Sequence, residues 1–285
     1  MAPALLPSID LQTYTKPSGG LNPTALSYIG NVFTSITPNL VEAAFLHLQQ
    51  SFGLFSTSFE VSTLSSIDDI VSLLDSGAAA VFVTGQQLEK LKTVDNLDLT
   101  RVVLSVEAEL PEETAVKSLL LKNLDQDFKL VAKWLTTRGE DARVYVHTRD
   151  STPLADVLNV IRSSKGAVVP IIPATSLTTD QKLEPKLLPV ADIALANITS
   201  DRPDGLYTTL VTDERGTALG LVYSSQESVS ESLRTGRGVY QSRKRGLWYK
   251  GESSGDIQEL VRLSLDCDQD CLQFVVRQKG RGWYP

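Results

Sequence analysis

Residues 65–85 read SSIDDIVSLLDSGAAAVFVTG, and this stretch sets the class of fold. IDDIVSLLD (67–75) carries apolar residues at helical spacing and stops at Ser76-Gly77, a good C-terminal signal for a helix. AAVFVT (79–84) is then a short apolar run of strand length, and another helix begins at Gly85. A helix, a glycine turn and a buried strand in that order make half of a crossover unit, the arrangement that covers parallel strands with helices.

The same alternation extends outward on both sides. Upstream, LVEAAFLHLQQSFGL (40–54) repeats apolar residues at helical spacing, and SFEVS (58–62) reads as a strand. Downstream, RVVLSV (101–106), ARVYVH (142–147) and AVVPII (167–172) are further short strands, with helices expected at 113–121 and 153–163. The pattern loosens across the Pro-rich stretch 170–189, and the turn-rich TSDRPDG (199–205) marks the expected domain boundary. The expectation is an α/β domain over residues 1–203 followed by a second domain over 204–285.

Residues 204–285 have a different texture. YTTLVT, DERGT and ALGLVY (207–223) form a hairpin signature with a glycine in the connection. Residues 228–233 suit a short helix ended by Thr235-Gly236, and 238–242 and 247–249 are extended. Val261, Leu263, Leu265 and Cys267 alternate along one strand face, with 271–277 as the hairpin partner. This is a mostly antiparallel β domain with some helix.

Composition narrows the function classes. The chain has 285 residues, is 42% hydrophobic and 21% charged, and no apolar run approaches the length needed to cross a bilayer. The N-terminus MAPALLPSIDLQ lacks a basic region before a long apolar stretch, so no secretory signal is expected. Two cysteines give no disulfide framework, and a reducing cytoplasm is the expected compartment. Residues 204–285 hold 11 basic and 11 acidic residues, so the net charge of −7 resides in residues 1–203. Arg234, Arg237, Arg243, Lys244, Arg245 and Lys250 nevertheless fall in one window without an acid between them. One local basic patch on an acidic chain favours a small anionic ligand over nucleic acid.

Three features could carry chemistry. Asp266, Asp268 and Asp270 place three carboxylates in five residues, which repel unless a cation neutralises them, and hard Mg²⁺ takes such oxygen ligands. A hydrated acidic turn is the plainer reading of that motif alone. Gly251-Glu252-Ser253-Ser254-Gly255 can offer N–H groups and hydroxyls to an anion, and the cations Arg243, Arg245 and Lys250 before it shift the balance toward a phosphate site. Cys267 and Cys271 sit in apolar strand patterns, where a buried small residue is the expected role. Trp248 and Trp283 are candidates for stacking on a base, against the commoner fate of core packing. In the first domain His147, Asp150, Asp10 and Glu107 stand at strand ends, but nothing in the sequence pairs them into a unit.

Residues 204–280 resemble the phosphoribosyl-AMP cyclohydrolase family of histidine biosynthesis. The resemblance runs through YQSRKRGLWYKGESSGDIQ and LDCDQDCLQFVVRQKG; from Leu247 to Gly255 the family pattern L-W-x-K-G-E-[TS]-S-G stands unchanged, while the basic run before it is shifted. The upstream part looks most like the fungal trifunctional histidine-biosynthesis proteins. The resemblance implies hydrolytic opening of the adenine ring of 1-(5-phosphoribosyl)-AMP between N1 and C6. It implies magnesium at Asp266, Asp268 and Asp270, zinc at Cys267, substrate phosphates on the segment Arg243–Gly255, and a homodimer sharing metal ligands across its interface. In such a site zinc acidifies a bound water for attack on C6. The family pattern continues into further zinc ligands, whereas here Gln278-Lys279-Gly280 is followed by RGWYP, so the expectation is a domain cut short with one zinc ligand present. SSIDDIVSLLDSGAAAVFVTG and LLPSIDL also resemble, more weakly, the half-barrel repeat of histidine-pathway sugar-phosphate isomerases. Without that family's glycine-rich phosphate turns, residues 1–203 are expected to be a degenerate half-barrel scaffold. Two other readings compete: a non-catalytic phosphoribosyl-nucleotide-binding or scaffolding module, and a sugar-phosphate enzyme centred on His147.

Overall fold

The computed structural model describes residues 4–15, 19–107, 110–111, 114–122, 128–139, 141–149 and 152–280. Two compact units form. One holds Asn31–Ala174 with the N-terminal strand, and the other holds Thr175 onward with a short helical segment that ends at Gly30.

The first unit is a closed barrel of eight parallel strands, β1 (Leu6–Ser8), β2 (Asn31–Ser35), β3 (Ser56–Glu60), β4 (Ala80–Val83), β5 (Val102–Val106), β6 (Ser118–Leu121), β7 (Arg143–His147) and β8 (Val168–Pro173). Each pairs with its sequence neighbour, and β1 closes the ring on β8 through Leu6, Pro7 and Ser8 against Ile171, Ile172 and Pro173. Helices are numbered along the chain: α1 (Pro23–Ile29) belongs to the second unit, while α2 (Val41–Ser51), α3 (Ile67–Asp75), α4 (Gly85–Leu91), α5 (Phe128–Arg138) and α6 (Leu154–Ser163) belong to the barrel.

The stretch 65–85 folds as its chemistry dictates. Ser66 caps α3 by accepting the Asp69 N–H at 3.1 Å, and Asp68 and Asp69 place negative charge in the first turn. Gly77 then adopts φ +100°, a conformation costly for any residue with a Cβ, and the chain turns directly into β4. Thr84 and Gln87 form a reciprocal capping box at the start of α4. Gln87 is buried, and its amide also donates to the carbonyls of Val61 and Leu64, tying that loop to the helix.

Two layers of apolar side chains follow from strand alternation. Leu6, Phe33, Phe82, Val103, Leu120, Val169 and Ile171 fill the inside of the barrel. Phe59, Val81, Val83, Leu104, Leu119, Leu121 and Val144 face outward and pack with the helices, among them Ile70, Leu73 and Leu74 of α3.

The expected degenerate half-barrel is therefore corrected to a complete eight-stranded barrel. Five strands were placed, too few to close a ring; β1 was marked only by Asp10 as a strand end, and β2 and β6 were not read. Residues 113–121 were expected as a helix, yet 118–121 form β6. Leu119 and Leu121 face the helical layer while Leu120 faces the barrel interior, so SLLL is apolar on both sides and shows no period that separates strand from helix.

In the second unit the elements are β9 (Leu177–Thr178), β10 (Leu188–Pro189), α7 (Val190–Ala194), β11 (Tyr207–Thr212), β12 (Ala218–Ser224), α8 (Gln226–Thr235), β13 (Val239–Ser242), β14 (Gly246–Tyr249), β15 (Gln258–Leu265) and β16 (Cys271–Gln278). The principal sheet runs β12-β11-β16-β15. Both hairpins are antiparallel, but their inner strands β11 and β16 run parallel, so the sheet is mixed. The long excursion through α8 and the β13–β14 hairpin allows that parallel pairing. Val211, Leu272, Phe274 and Val276 are buried, Phe274 lies against Tyr240 with ring centres 5.4 Å apart, and the Tyr240 hydroxyl donates to Gln258 Oε1 at 2.7 Å. The stretch 199–205, expected as the boundary, lies inside this unit.

Candidate functional site

The β15–β16 hairpin builds the acidic cluster. Strand β15 ends at Leu265, so Asp266, Asp268 and Asp270 stand in the connecting turn. The turn, rather than a strand face, brings them together. Asp266 donates its N–H to the Cys271 carbonyl at 3.0 Å, and its carboxylate accepts the N–H groups of Asp270 and Cys271, each at 3.1 Å. Gln269 takes the left-handed conformation at φ +63°, which folds the turn back on itself. Its backbone carbonyl accepts from Thr199 N–H at 2.9 Å and its side-chain oxygen from Asn197 Nδ2 at 3.0 Å.

The result is convergence. One carboxylate oxygen from each of the three aspartates lies within 4.8 Å of the others. Asp266 is half-buried and the other two are exposed. The negative charge of Asp268 raises the pKa of Asp270 above the usual carboxylate range, with desolvation and Asp266 adding to it. Oxygen-only ligands already gathered against their own repulsion suit a hard cation such as Mg²⁺.

The cysteines behave otherwise. Cys267 belongs to the turn and is exposed, which corrects its expected place in an apolar strand face. It joins no cluster of three histidine, cysteine or carboxylate ligands among the described residues. A zinc site needs about three protein donors, so these residues do not fit zinc by themselves. Cys271 opens β16, half-buried, with its thiol pKa raised chiefly by burial.

The basic run sits at the β13–β14 hairpin. Ser242 pairs with Gly246, and Arg243, Lys244 and Arg245 occupy the exposed turn between them. The Ser242 hydroxyl accepts the N–H of Arg245 at 3.2 Å, and Gly246 takes φ +73° to re-enter the strand. The Arg243 guanidinium lies 5.5 Å from the Tyr223 ring centre and that of Arg202 at 4.0 Å, so an aromatic residue of β12 holds two cations. Lys250 stands 6.0 Å from the Trp248 ring centre. Arg234, counted with this run in the sequence, is instead committed to Glu231 and Asp180.

Gly251 to Gly255 form a tight turn after β14. Gly255 N–H donates to the Gly251 carbonyl at 2.8 Å, and Glu252 N–H to Tyr249 at 3.3 Å. A Cβ on Gly251 would meet the backbone carbon of Asp256 at 2.3 Å with φ at +83°, so only glycine fits. Glu252, Ser253 and Ser254 are exposed, and the N–H groups of Ser253 and Ser254 have no hydrogen-bond partner among the described residues. An exposed turn with free N–H groups next to Lys250 is suited to an anion, while Arg243, Lys244 and Arg245 stand at the other end of the β13–β14 hairpin.

Sequence reasoning missed Asn197, Thr199, Gln269 and Tyr223, which position the turns rather than bear charge. Their signal lies in contacts between positions far apart in the chain. Asp10 caps its own turn by accepting from the N–H groups of Gln12 and Thr13, and Asp150 and Trp283 lie outside the described residues.

Comparison with known proteins adds the family. Residues 220–283, which include both hairpins, match the phosphoribosyl-AMP cyclohydrolase family. The phosphoribosyl-AMP cyclohydrolase of Roseobacter denitrificans is 47% identical over 78 residues, covering 27% of this chain and 61% of that protein. The histidine biosynthesis trifunctional protein of Neurospora crassa is 45% identical over 263 residues, covering 92% of this chain and 30% of that protein. The histidine biosynthesis bifunctional protein of Schizosaccharomyces pombe is 36% identical over 294 residues, covering 98% of this chain and 69% of that protein. The second unit thus carries a segment of the cyclohydrolase class. The chain as a whole belongs to the family of the fungal multifunctional histidine-biosynthesis proteins, and it spans about a third of the trifunctional relative from Neurospora.

Proposed function

We propose that this chain opens the adenine ring of 1-(5-phosphoribosyl)-AMP by hydrolysis in histidine biosynthesis, using residues 204–285. The observation that carries the reading is the convergence of Asp266, Asp268 and Asp270 within the segment that matches the cyclohydrolase family. These carboxylates would hold Mg²⁺, which when bound supplies positive charge against the substrate's phosphate oxygens. Arg243 and Arg245 offer charge to phosphate at the turn of the β13–β14 hairpin, and Lys250 with the free N–H groups of the Gly251-Glu252-Ser253-Ser254-Gly255 turn offers a second place for phosphate at its other end. Zinc has no part in this reading, since Cys267 joins no cluster of three donors among the described residues.

A homodimer is the favoured assembly. The sheet edge at β12 is open, with Leu219 and Leu221 exposed, and a second copy would cover them. Two free thiols support a cytoplasmic setting, and no helix among the described residues is long and apolar enough to cross a membrane. The lone exposed Cys267 favours one alternative, a module that binds the nucleotide without turning it over.

The deciding experiment follows ring opening of phosphoribosyl-AMP by absorbance with purified chain, magnesium and zinc. Turnover that a chelator abolishes and Asp268→Asn suppresses is expected. Substrate binding without turnover, from folded chain, would refute hydrolysis and leave the binding module.

A further inference from the structure

The acidic turn is held in a shape that its own chemistry opposes. Its three carboxylates repel one another, and Gln269, between Asp268 and Asp270, takes the left-handed conformation that residues with a Cβ seldom adopt. Inside the turn, Asp266 Oδ1 accepts from the N–H groups of Asp270 and Cys271, so one oxygen of a candidate ligand is committed to closing the turn. A residue in a sparsely populated conformation persists where its surroundings over-determine it.

Those surroundings come from upstream of residues 220–283, the segment that matches the cyclohydrolase family. Thr199 N–H donates to the Gln269 carbonyl at 2.9 Å, and Asn197 Nδ2 donates to Gln269 Oε1 at 3.0 Å. Main chain and side chain of the one left-handed residue are thus gripped from positions 70 and 72 residues away.

The gripping segment is itself fixed at both ends. Before it, Leu195 and Ala196 are buried, Leu195 N–H donates to the Ala191 carbonyl of α7 at 3.0 Å, and Asp192 of α7 accepts from Gln226 of α8 at 2.7 Å. After it, the Ser200 hydroxyl donates to the Leu206 carbonyl at 2.7 Å. Arg202 pairs with Asp204 and lies over the ring of Tyr223 in β12. A stretch pinned to α8 on one side and to β12 on the other can hold a turn against its own repulsion.

We infer that Asn197 and Thr199 are positioning residues for the proposed magnesium site, acting through Gln269. The inference rests on the magnesium reading of the aspartates and adds what makes them ready. The strut keeps the carboxylates gathered before the cation arrives, so binding does not have to order the turn. It also sets the geometry on offer. Mg²⁺ demands near-ideal octahedral ligation at short distances, whereas Ca²⁺ accepts flexible and irregular oxygen ligands. A turn released from the strut therefore loses more affinity for Mg²⁺ than for Ca²⁺.

Calorimetric titration of the full-length chain with magnesium chloride and, separately, calcium chloride tests this in the wild type, Asn197→Ala, Gln269→Met and the double variant. Both side chains are only half-buried, and urea unfolding verifies that each variant is folded. Each single variant should bind Mg²⁺ about fivefold more weakly, the loss expected for one hydrogen bond, and should lose less for Ca²⁺. The double variant should lose no more than either single variant, because both changes remove the same contact. Unchanged Mg²⁺ affinity in both single variants would overturn the strut and leave the magnesium site standing. Losses that multiply in the double variant, or that fall equally on the two cations, would overturn it as well. A wild-type chain that binds no Mg²⁺ would instead refute the magnesium reading, and the strut with it.

Discussion

His47 makes the barrel sensitive to acid, and the size of the effect follows from its surroundings. The side chain leaves α2 for the outer layer, where only 4% of the residue is exposed. Its Nε2 lies 2.9 Å from Thr57 Oγ1, Nδ1 is buried without a partner, and the rings of Tyr14, Phe55 and Phe59 surround it. Nothing in this pocket welcomes a second proton, and burial lowers the pKa from 6.5 to about 4. The folded state therefore holds the neutral ring while the unfolded state protonates first. The stabilising contribution is complete above pH 6.5 and disappears as the pH falls toward 4. Fully expressed, such a shift is worth about 3 kcal/mol, and the part lost between pH 7 and pH 5 is about 2 kcal/mol. Urea unfolding of the barrel unit at both pH values, for wild type and His47→Gln, measures it. The chain has only one other histidine, His147, and both proteins contain it, so its share cancels. The wild type should lose about 2 kcal/mol more than the variant on acidification. Equal losses would show that the buried ring is not held neutral, and the reasoning would fail.

Four further outcomes concern the second unit. Asp268→Asn removes the leading cause of the raised Asp270 pKa together with one ligand, so calorimetry should show magnesium affinity about tenfold weaker. In the wild type that affinity should decline as the pH falls through the raised Asp270 pKa, because protonation takes away a ligand. Gly251→Ala should destabilise the unit by about 2 kcal/mol or more in urea, combining left-handed strain with the approach to Asp256; Gly255→Ala, equally left-handed but with open space, should cost less. Leu221→Lys on the open β12 edge should convert dimer to monomer by light scattering without changing the unfolding midpoint of the monomer, and an unchanged mass would exclude that edge as the interface.

Legibility followed the range of the interactions concerned. Strands β11 to β16 and helix α8 were readable because hairpins and caps are local: Gly236 at φ +67° ends α8 where Thr235-Gly236 signalled, and YTTLVT matches β11 residue for residue. The acidic motif was visible for the same reason, though its geometry depends on contacts from farther along the chain. D-C-D-Q-D alternates like a strand, and only the left-handed Gln269, anchored from Asn197 and Thr199, turns alternation into convergence. Closure of the barrel was the least legible, because it depends on β1, three residues long, meeting β8 over more than a hundred positions of chain. The polar rim of the barrel, where Lys122 reaches Glu60 and Glu107 and His147 packs on Phe33, was lost with it. Read along the chain, Ser35, Glu60, Lys122 and His147 are isolated polar residues at strand ends, each unremarkable, and no spacing relates them. The ring relates them, since parallel strands in register bring every C-terminal end to one rim. A cluster written in one hairpin can be found by its motif; one distributed over the strands of a barrel comes into view only when the ring is closed.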